Sequence, residues 1–75
     1  MNNSDKLLKM IGKNIKISRI RKDLSQEDLA EAASIHSTHL SKIENGHSNV
    51  TLEVLYKIAE SLEIEIQDLF TDYHA

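Results

Sequence analysis

The stretch SQEDLAEAASIHSTHLSKIENG, residues 25–46, decides the fold of this chain. Ser25 with Asp28 three residues later is a capping-box pattern, which predicts the start of a short helix. The turn that follows contains one large apolar residue, Ile35, which we expect to fill the gap between two helices. The stretch therefore indicates two short helices joined by a tight turn.

The second of these helices is predicted from about residue 36 to residue 45. Leu40 and Ile43 are spaced to lie on one side of it, which we expect to face the core. The opposite side carries small polar and basic side chains. Gly46 follows directly and ends the helix by accepting a left-handed backbone conformation.

This pattern resembles the helix-turn-helix of the Cro/C1-type family, which is also called XRE-like or lambda-repressor-like. The residues that carry the resemblance are Leu24–Ala30, Ile35 and Leu40–Gly46, with flanking matches from about residue 11 to residue 70. Each short motif alone is weak, but their joint spacing is specific. The resemblance implies an all-α, compact five-helix lambda-repressor-like fold that binds DNA and regulates transcription.

The chain has 75 residues, which is enough for one small domain with one modest core. The expected boundaries are residues 1–75 for a single helix-turn-helix DNA-binding domain, 5–70 for its core, 25–46 for the helix-turn-helix and about 56–75 for a dimerisation region. Helical spacing predicts the core side chains of the first and fourth helices, which are Leu7, Leu8, Ile11, Ile15, Leu52, Leu55, Ile58, Ala59 and Leu62. A short fifth helix is expected from about Ile66 to Thr71.

The composition argues against several protein classes. There is no cysteine, which excludes disulfides and thiolate metal sites. No apolar run has membrane-spanning length, the N-terminus lacks a signal-peptide pattern, and no Gly-rich phosphate loop, nucleophile–base arrangement or zinc spacing is present. We therefore expect a cytoplasmic protein that is not an enzyme, holds no cofactor or metal, has no evident small-molecule ligand and does not bind membranes.

Charge is distributed unevenly along the chain, whose formal net charge is −3. Residues 1–22 carry seven Lys and Arg and one acidic residue, whereas residues 23–75 carry two basic and eleven acidic residues. Such an asymmetry can orient a protein on DNA. The alternative is an ordinary solvated helix face.

The candidate base-contacting residues follow from the resemblance to phage repressors. A major groove admits one α-helix, and side chains near its N-terminus reach base edges. The matching positions are Ser37, Thr38 and Lys42, with His39 contacting a base or the sugar–phosphate edge. Lys42 can donate to guanine O6 and N7, and Thr38 can contact a thymine methyl group.

Further residues are expected to contact phosphates, which position a domain on DNA without specifying sequence. Gln26 matches a family position at a helix N-terminus, where exposed amides and the positive end of the helix dipole favour phosphate. The expected backbone-contacting residues are Ser25, Gln26, His36, Asn45, His47, Ser48 and Asn49.

Three histidines, His36, His39 and His47, surround this surface. A neutral imidazole neutralises no phosphate, whereas a protonated one does, so we hypothesise that DNA affinity rises as the pH falls toward 6. His36 stands where serine or threonine normally caps a helix, so Ser37 is expected to take over as the cap. His36 and His39 lack a third metal ligand nearby, and no metal site is expected.

The resemblance also implies a structural ion pair between Arg19 and Glu44, which would clamp the first helix to the recognition helix. The alternative is two independent surface charges. Asp23, Ser34 and Glu63 stand where the family commonly has glycine. Asp23 tolerates turn conformations, but less freely than glycine. If the position of Ser34 needs a left-handed backbone, serine there costs about 1 kcal/mol.

An apolar patch near the C-terminus is the candidate dimer interface, because exposed patches on small proteins usually mark interfaces. Its expected members are Tyr56, Ile64, Ile66, Phe70 and Tyr73. The alternative is that Ile64 and Phe70 complete the core. Ile17 and Ile20 form a second apolar stripe, which serves either core packing or contact with a partner.

Taken together, these features predict a homodimer that binds double-stranded DNA at an inverted-repeat operator and regulates transcription, since a two-fold dimer places two recognition helices about one DNA turn apart. Small proteins of this kind resemble restriction–modification controller proteins, Cro-like repressors and antitoxin-type regulators, and we favour the controller type. The alternative function is a protein-interaction or antitoxin-type module built on the same scaffold.

Overall fold

A computed structural model describes residues 3–72, which contain four α-helices, a 3₁₀ helix and no strand. The elements are α1 (Asn3–Arg21), α2 (Gln26–Ala32), α3 (Ser37–Glu44), α4 (Leu52–Ser61) and the 3₁₀ helix (Ile66–Phe70). The all-α fold is confirmed, but the expected fifth α-helix is wrong. Its five residues form the tighter 3₁₀ geometry, which is typical of helical segments this short.

Side-chain caps fix where two of the helices begin. Ser25 Oγ accepts a hydrogen bond from the Asp28 amide and the Asp28 carboxylate accepts one from the Ser25 amide, so the expected capping box is present. Thr51 caps α4 through its hydroxyl oxygen. The expected cap by Ser37 is wrong, because His36 occupies the N-cap position with an extended backbone and makes no side-chain cap bond.

The helices pack around one apolar core, with α1 lying against both α3 and the 3₁₀ helix. Its fully buried large side chains are Ile15, Leu29, Leu40, Ile43, Ile58, Leu62 and Leu69. Three expected core residues are not buried, since Leu7 is 44% and Leu52 is 70% exposed, and Leu8 is half-buried outside the core cluster. Leu7 lies one turn before the first buried residue of α1 and Leu52 opens α4, and the ends of both helices extend past the elements that cover their middles.

Asn14 is a buried polar residue that connects the two ends of the described chain. Its Nδ2 donates to the backbone carbonyl of Leu69 at 2.9 Å and to that of Thr71 at 2.8 Å. These carbonyls lie at the end of the 3₁₀ helix, where backbone acceptors lack helical partners. The side chain therefore holds the C-terminal segment against the middle of α1.

Within residues 3–72, three non-glycine residues adopt a left-handed backbone, and they stand at the three positions where the resemblance implied glycine. Their φ angles are 58° at Asp23, 59° at Ser34 and 58° at Glu63, and Gly46 has a φ of 73°. Each of these residues follows a helix and reverses the chain direction. The Glu63 carboxylate lies 2.7 Å from Lys22 Nζ, and this hydrogen bond lowers the pKa of the exposed Glu63 side chain.

Within residues 3–72, no helix combines the length and apolar character that crossing a membrane requires. The longest helix, α1, has 19 residues and a run of lysines on its surface.

Candidate nucleic-acid interface

The outer face of α3 is open to solvent. Ser37, Thr38 and Lys42 are exposed, and Ser41 between them is half-buried. These four side chains line one wall of a cleft of about 760 Å³, and the start of α2 forms the other wall with Ser25, Gln26 and Glu27. Four of the residues expected to contact DNA at the start of α2 and the start of α3 are thus brought together with Lys42.

A hydrogen-bonded network supports this cleft from below. The Glu44 carboxylate accepts from Arg19 Nε at 2.8 Å, from Arg19 Nη2 at 3.1 Å and from Gln26 Nε2 at 3.0 Å. The side chain of Glu44 is 1% exposed and that of Arg19 is 11% exposed. Arg19 Nη1 also donates to the carbonyl of Leu24 at 2.8 Å. One buried carboxylate therefore ties α1, the start of α2 and the end of α3 together through a bidentate pair.

The network changes what Gln26 contributes to the surface. Its side-chain amide donates to Glu44 and the residue is half-buried, so the side chain is held in the wall of the cleft. Arg19 also lines the cleft, whereas Glu44 lies beneath it. The pair therefore supports the candidate interface mainly from inside the protein.

A close crossing at Gly12 sets the distance between α1 and α3. A Cβ atom added at Gly12 would collide with the carbonyl oxygen of Ile43 and would lie 2.6 Å from that of Glu44. Only glycine lets the two backbones approach this closely. Sequence reasoning included Gly12 in the resemblance without assigning it this role, although one of only two glycines in the chain standing inside a long helix was a usable signal.

The loop after α3 forms a second group of candidate contacts. Gly46 packs against the backbone of Lys9, and His47, Ser48 and Asn49 follow it around a shallow hollow of about 520 Å³ beside the start of α1. Asn45, which ends α3, is exposed between this loop and Lys42. The structure thus divides the expected phosphate contacts into two groups, one at each end of α3.

The histidines differ in exposure. His36 and His47 are exposed, at the N-cap of α3 and in the loop after it, whereas His39 is half-buried on the side of α3. His39 is therefore less accessible to a ligand than Thr38 and Lys42 are.

The apolar residues expected at a dimer interface are only partly clustered. Tyr56 is 57% and Phe70 is 39% exposed, whereas Ile64 and Ile66 are half-buried and pack against the core. Tyr56, Ile64 and Ile66 line a hollow of about 310 Å³ that Phe70 does not line. Tyr73 lies outside the described residues.

Comparison with known proteins decides the family. A family model described as helix-turn-helix matches residues 15–69 of this chain. The chain belongs to this helix-turn-helix family. The match confirms the resemblance to Cro/C1-type domains, and it includes α2, α3 and the Arg19–Glu44 pair.

Individual proteins of the helix-turn-helix family are similar to this chain over different shares of their length. Control protein C.MunI from Mycoplasma sp is 43% identical over 60 residues, which are 76% of this chain and 81% of C.MunI. The crystal structure of the restriction-modification controller protein C.AhdI from Aeromonas hydrophila has a TM-score of 0.82 at 35% identity, covering 84% of this chain and 96% of that chain. The HTH-type transcriptional regulator SlrR from Bacillus subtilis is 40% identical over 62 residues, and this chain spans only 41% of its length.

Proposed function

We propose that this chain is a sequence-specific DNA-binding regulator of transcription of the restriction–modification controller type. The observation that carries the proposal is the contrast on α3, whose exposed outer face bears Ser37, Thr38 and Lys42 while its inner face is fixed by the core and by Glu44. The similarity to C.MunI and C.AhdI over most of each protein supports the controller type in particular.

In this proposal α3 enters the major groove with its outer face toward the bases. Lys42 donates to guanine O6 and N7, and Thr38 contacts a thymine methyl group or bonds a base through its hydroxyl. Ser37 is compatible with several bases and therefore adds little sequence specificity. His39 contacts the edge of the site, which agrees with its half-buried position on the side of the helix.

The phosphate contacts would flank the bases on both sides. At one end of α3 they come from Ser25, Gln26 and His36, and at the other from Asn45 and the loop residues His47, Ser48 and Asn49. Two groups of contacts at opposite ends of a recognition helix hold it in one register while base contacts choose the sequence. The separation of the cleft and the loop hollow supports this arrangement.

We further propose that the protein acts as a homodimer through Tyr56, Ile64, Ile66 and Phe70, together with Tyr73. The exposed aromatic rings of Tyr56 and Phe70 support this surface. A two-fold dimer presents α3 twice, about 34 Å apart on one side of the duplex, and so selects an inverted repeat. Regulation of transcription would then depend on protein concentration, because dimerisation is coupled to operator binding.

A protein-interaction or antitoxin-type module is the second candidate. It is favoured by Ile20, which is 57% exposed on α1 beside the half-buried Ile17 and which DNA binding through α3 does not use. In this case the exposed isoleucines would contact a partner protein.

Selection from random double-stranded DNA at moderate salt, followed by sequencing, tests the two functions. An enriched inverted repeat is the expected result, and its symmetry gives the half-site spacing. Sedimentation of the protein with and without the enriched duplex then measures whether two chains bind together. Weak salt-sensitive binding without any enriched sequence would contradict the proposal and favour the protein-interaction module.

A further inference from the structure

Four lysines form a continuous stripe along α1. Lys6, Lys9, Lys13 and Lys16 are spaced by three, four and three residues, which places them on one helix face, and all four are exposed. From Lys6 to Lys16 the stripe runs about 15 Å along the helix axis. We call these four residues the lysine stripe.

The lysine stripe lies on the solvent side of α1, next to the contact of α1 with α3. On α1, Ile11 and Ile15 are buried in the core, and Gly12 touches the backbone of α3. The lysine stripe lies on the side of α1 opposite Ile11 and beyond the contact at Gly12. Gly46, directly after α3, packs against Lys9, so the lysine stripe passes next to the end of α3.

The lysine stripe also connects the two groups of candidate phosphate contacts. Lys9 lines the hollow formed with His47, Ser48 and Asn49. Arg19, one turn beyond Lys16, lines the cleft between α2 and α3. A DNA strand that reached both groups would therefore run along α1.

Charge supports the same conclusion. Residues 23–75 are strongly acidic, and Lys42 is the one formal positive charge in α3. Among residues 3–72, the ion pairs engage Arg19, Lys22 and Lys57, so they leave the charge of the lysine stripe available for a polyanion. An acidic protein needs such a local basic surface to approach DNA, because phosphate neutralisation supplies most of the sequence-independent affinity.

We propose that the lysine stripe binds the sugar–phosphate backbone of DNA alongside the groove that α3 enters. This inference rests on the proposed function and adds a backbone-contacting surface on a helix outside the helix-turn-helix. Its length of about 15 Å matches on the order of two to four phosphates of one strand. The lysine stripe would raise affinity for all sequences equally, and α3 would retain the choice among them.

The test is a salt titration of DNA binding with variants of the lysine stripe. The triple variant Lys6→Gln/Lys13→Gln/Lys16→Gln removes three charges and spares Lys9, whose backbone and stem pack against Gly46. The probes are the selected operator duplex and a random duplex of the same length. Each phosphate contact contributes about 0.9 to the slope of log K against log salt, so we expect the slope to fall by about 1 to 3 per protomer on both duplexes.

Two controls isolate the charge of the lysine stripe. The triple Lys→Arg variant at the same positions should keep the wild-type slope. Lys57→Gln, which removes a half-buried lysine of α4 that pairs with Glu53, should leave the slope unchanged. Thermal unfolding followed by circular dichroism checks that each variant is folded.

The possible outcomes separate this inference from the proposed function. A Gln variant with the wild-type slope would overturn the inference, as would a wild-type protein that binds neither duplex. A further outcome is that the wild type binds both duplexes equally while the Gln variant shows a smaller slope of log K against log salt. That result would contradict sequence-specific binding but support backbone binding by the lysine stripe. An unchanged slope together with weaker self-association of the DNA-free Gln variant at low salt would show that the lysine stripe binds the acidic surface of a second copy instead.

Discussion

The inner and outer faces of α3 differ in almost every physical respect. Inside, Leu40, Ile43 and Glu44 are buried, and their contacts reach α1 and the core. Outside, Thr38 and Lys42 are exposed. One helix of eight residues thus combines a fixed support with a surface that is free to bind.

This difference separates stability from recognition within a single helix. A change on the inner face should weaken folding and DNA binding together, because the position of α3 depends on its contacts with α1. A change on the outer face should weaken DNA binding alone, since no contact within the protein is lost. The five predictions below test this separation, beginning with the largest expected effect.

Removing the buried carboxylate should have the largest effect. Glu44→Ala leaves Arg19, whose side chain is 11% exposed, without its partner and removes the acceptor for Gln26. Loss of one member of a buried pair costs about 3–5 kcal/mol, so we expect the free energy of unfolding measured with urea to fall by that amount. Glu31→Ala, at an exposed position of α2, is the matched control and should change little.

The double variant Arg19→Met/Glu44→Leu sharpens the same prediction. It replaces both charges by apolar side chains of similar size, which is often neutral or stabilising. The double variant should therefore be more stable than Glu44→Ala alone. If both variants were equally unstable, the unpaired charge of Arg19 would not be the cause of the instability of Glu44→Ala.

The second largest effect is expected at the crossing of α1 and α3. Gly12→Ala introduces a Cβ that collides with the backbone oxygen of Ile43, which cannot rotate away. Overpacking of this kind costs about 3 kcal/mol, so the urea midpoint should fall although alanine favours helices. Lys13→Ala, one residue along and exposed, should not lower stability. A stable Gly12→Ala variant would show that α3 can shift, and its DNA affinity would then reveal whether that shift matters.

On the outer face, the prediction concerns binding alone. The variant Thr38→Ala/Lys42→Ala should lose affinity for the selected operator, since each good base contact contributes about 1–3 kcal/mol of discrimination. Unfolding, dimerisation and binding to random DNA of the same length should change little. A loss of thermal stability comparable to that of Glu44→Ala would contradict the claim that the outer face of α3 serves recognition alone.

A smaller effect of opposite sign is expected in the turn between α2 and α3. Ser34 has a φ of 59° and is exposed, so Ser34→Gly should relieve backbone strain and stabilise the protein by about 1 kcal/mol. Ala32→Gly, two residues earlier at the end of α2, should destabilise it by about the same amount. Operator affinity should be unchanged in Ser34→Gly. A lower stability of this variant would contradict the claim that the backbone at Ser34 is strained.

The smallest effect is expected from the histidines at the margin of the outer face. Protonation of His36 and His47, both exposed, adds positive charge near the expected phosphates. Operator affinity should rise as the pH is lowered from 8 to 6, with a steeper dependence on salt at pH 6. The variant His36→Gln/His39→Gln/His47→Gln should bind with similar affinity and slope at both pH values. If the wild type had the same affinity and the same slope of log K against log salt at pH 6 and pH 8, this prediction would be wrong.

Much of the fold was predictable because its signals are local. The capping box at Ser25, the cap at Thr51 and the left-handed Gly46 depend on neighbouring residues, and all three are present. The family match also confirms the resemblance on which the candidate site was built. The DNA contacts assigned to individual residues of that site stay predictions.

Apart from the local error at the cap of α3, the errors share one cause, which is the absence of long-range information in a helical pattern. Leu7 and Leu52 have core spacing, but no other element covers the helix ends on which they lie. Asn14 looks polar in sequence, yet it is buried because carbonyls more than fifty residues away need a donor. Helical spacing also does not distinguish the 3₁₀ geometry of Ile66–Phe70 from a short α-helix.

The sequence by itself determined where the helices begin and turn, and which side chains of α3 are polar, because caps, turn residues and helical periodicity act over a few residues. The tertiary structure alone decided how α3 is held. The crossing at Gly12, the hydrogen bond from Gln26 to Glu44 and the burial of Asn14 all depend on how separate helices meet. The Arg19–Glu44 pair was expected only because the family resemblance implied it. Burial and close approach arise only when distant segments pack together, and no local pattern contains that information.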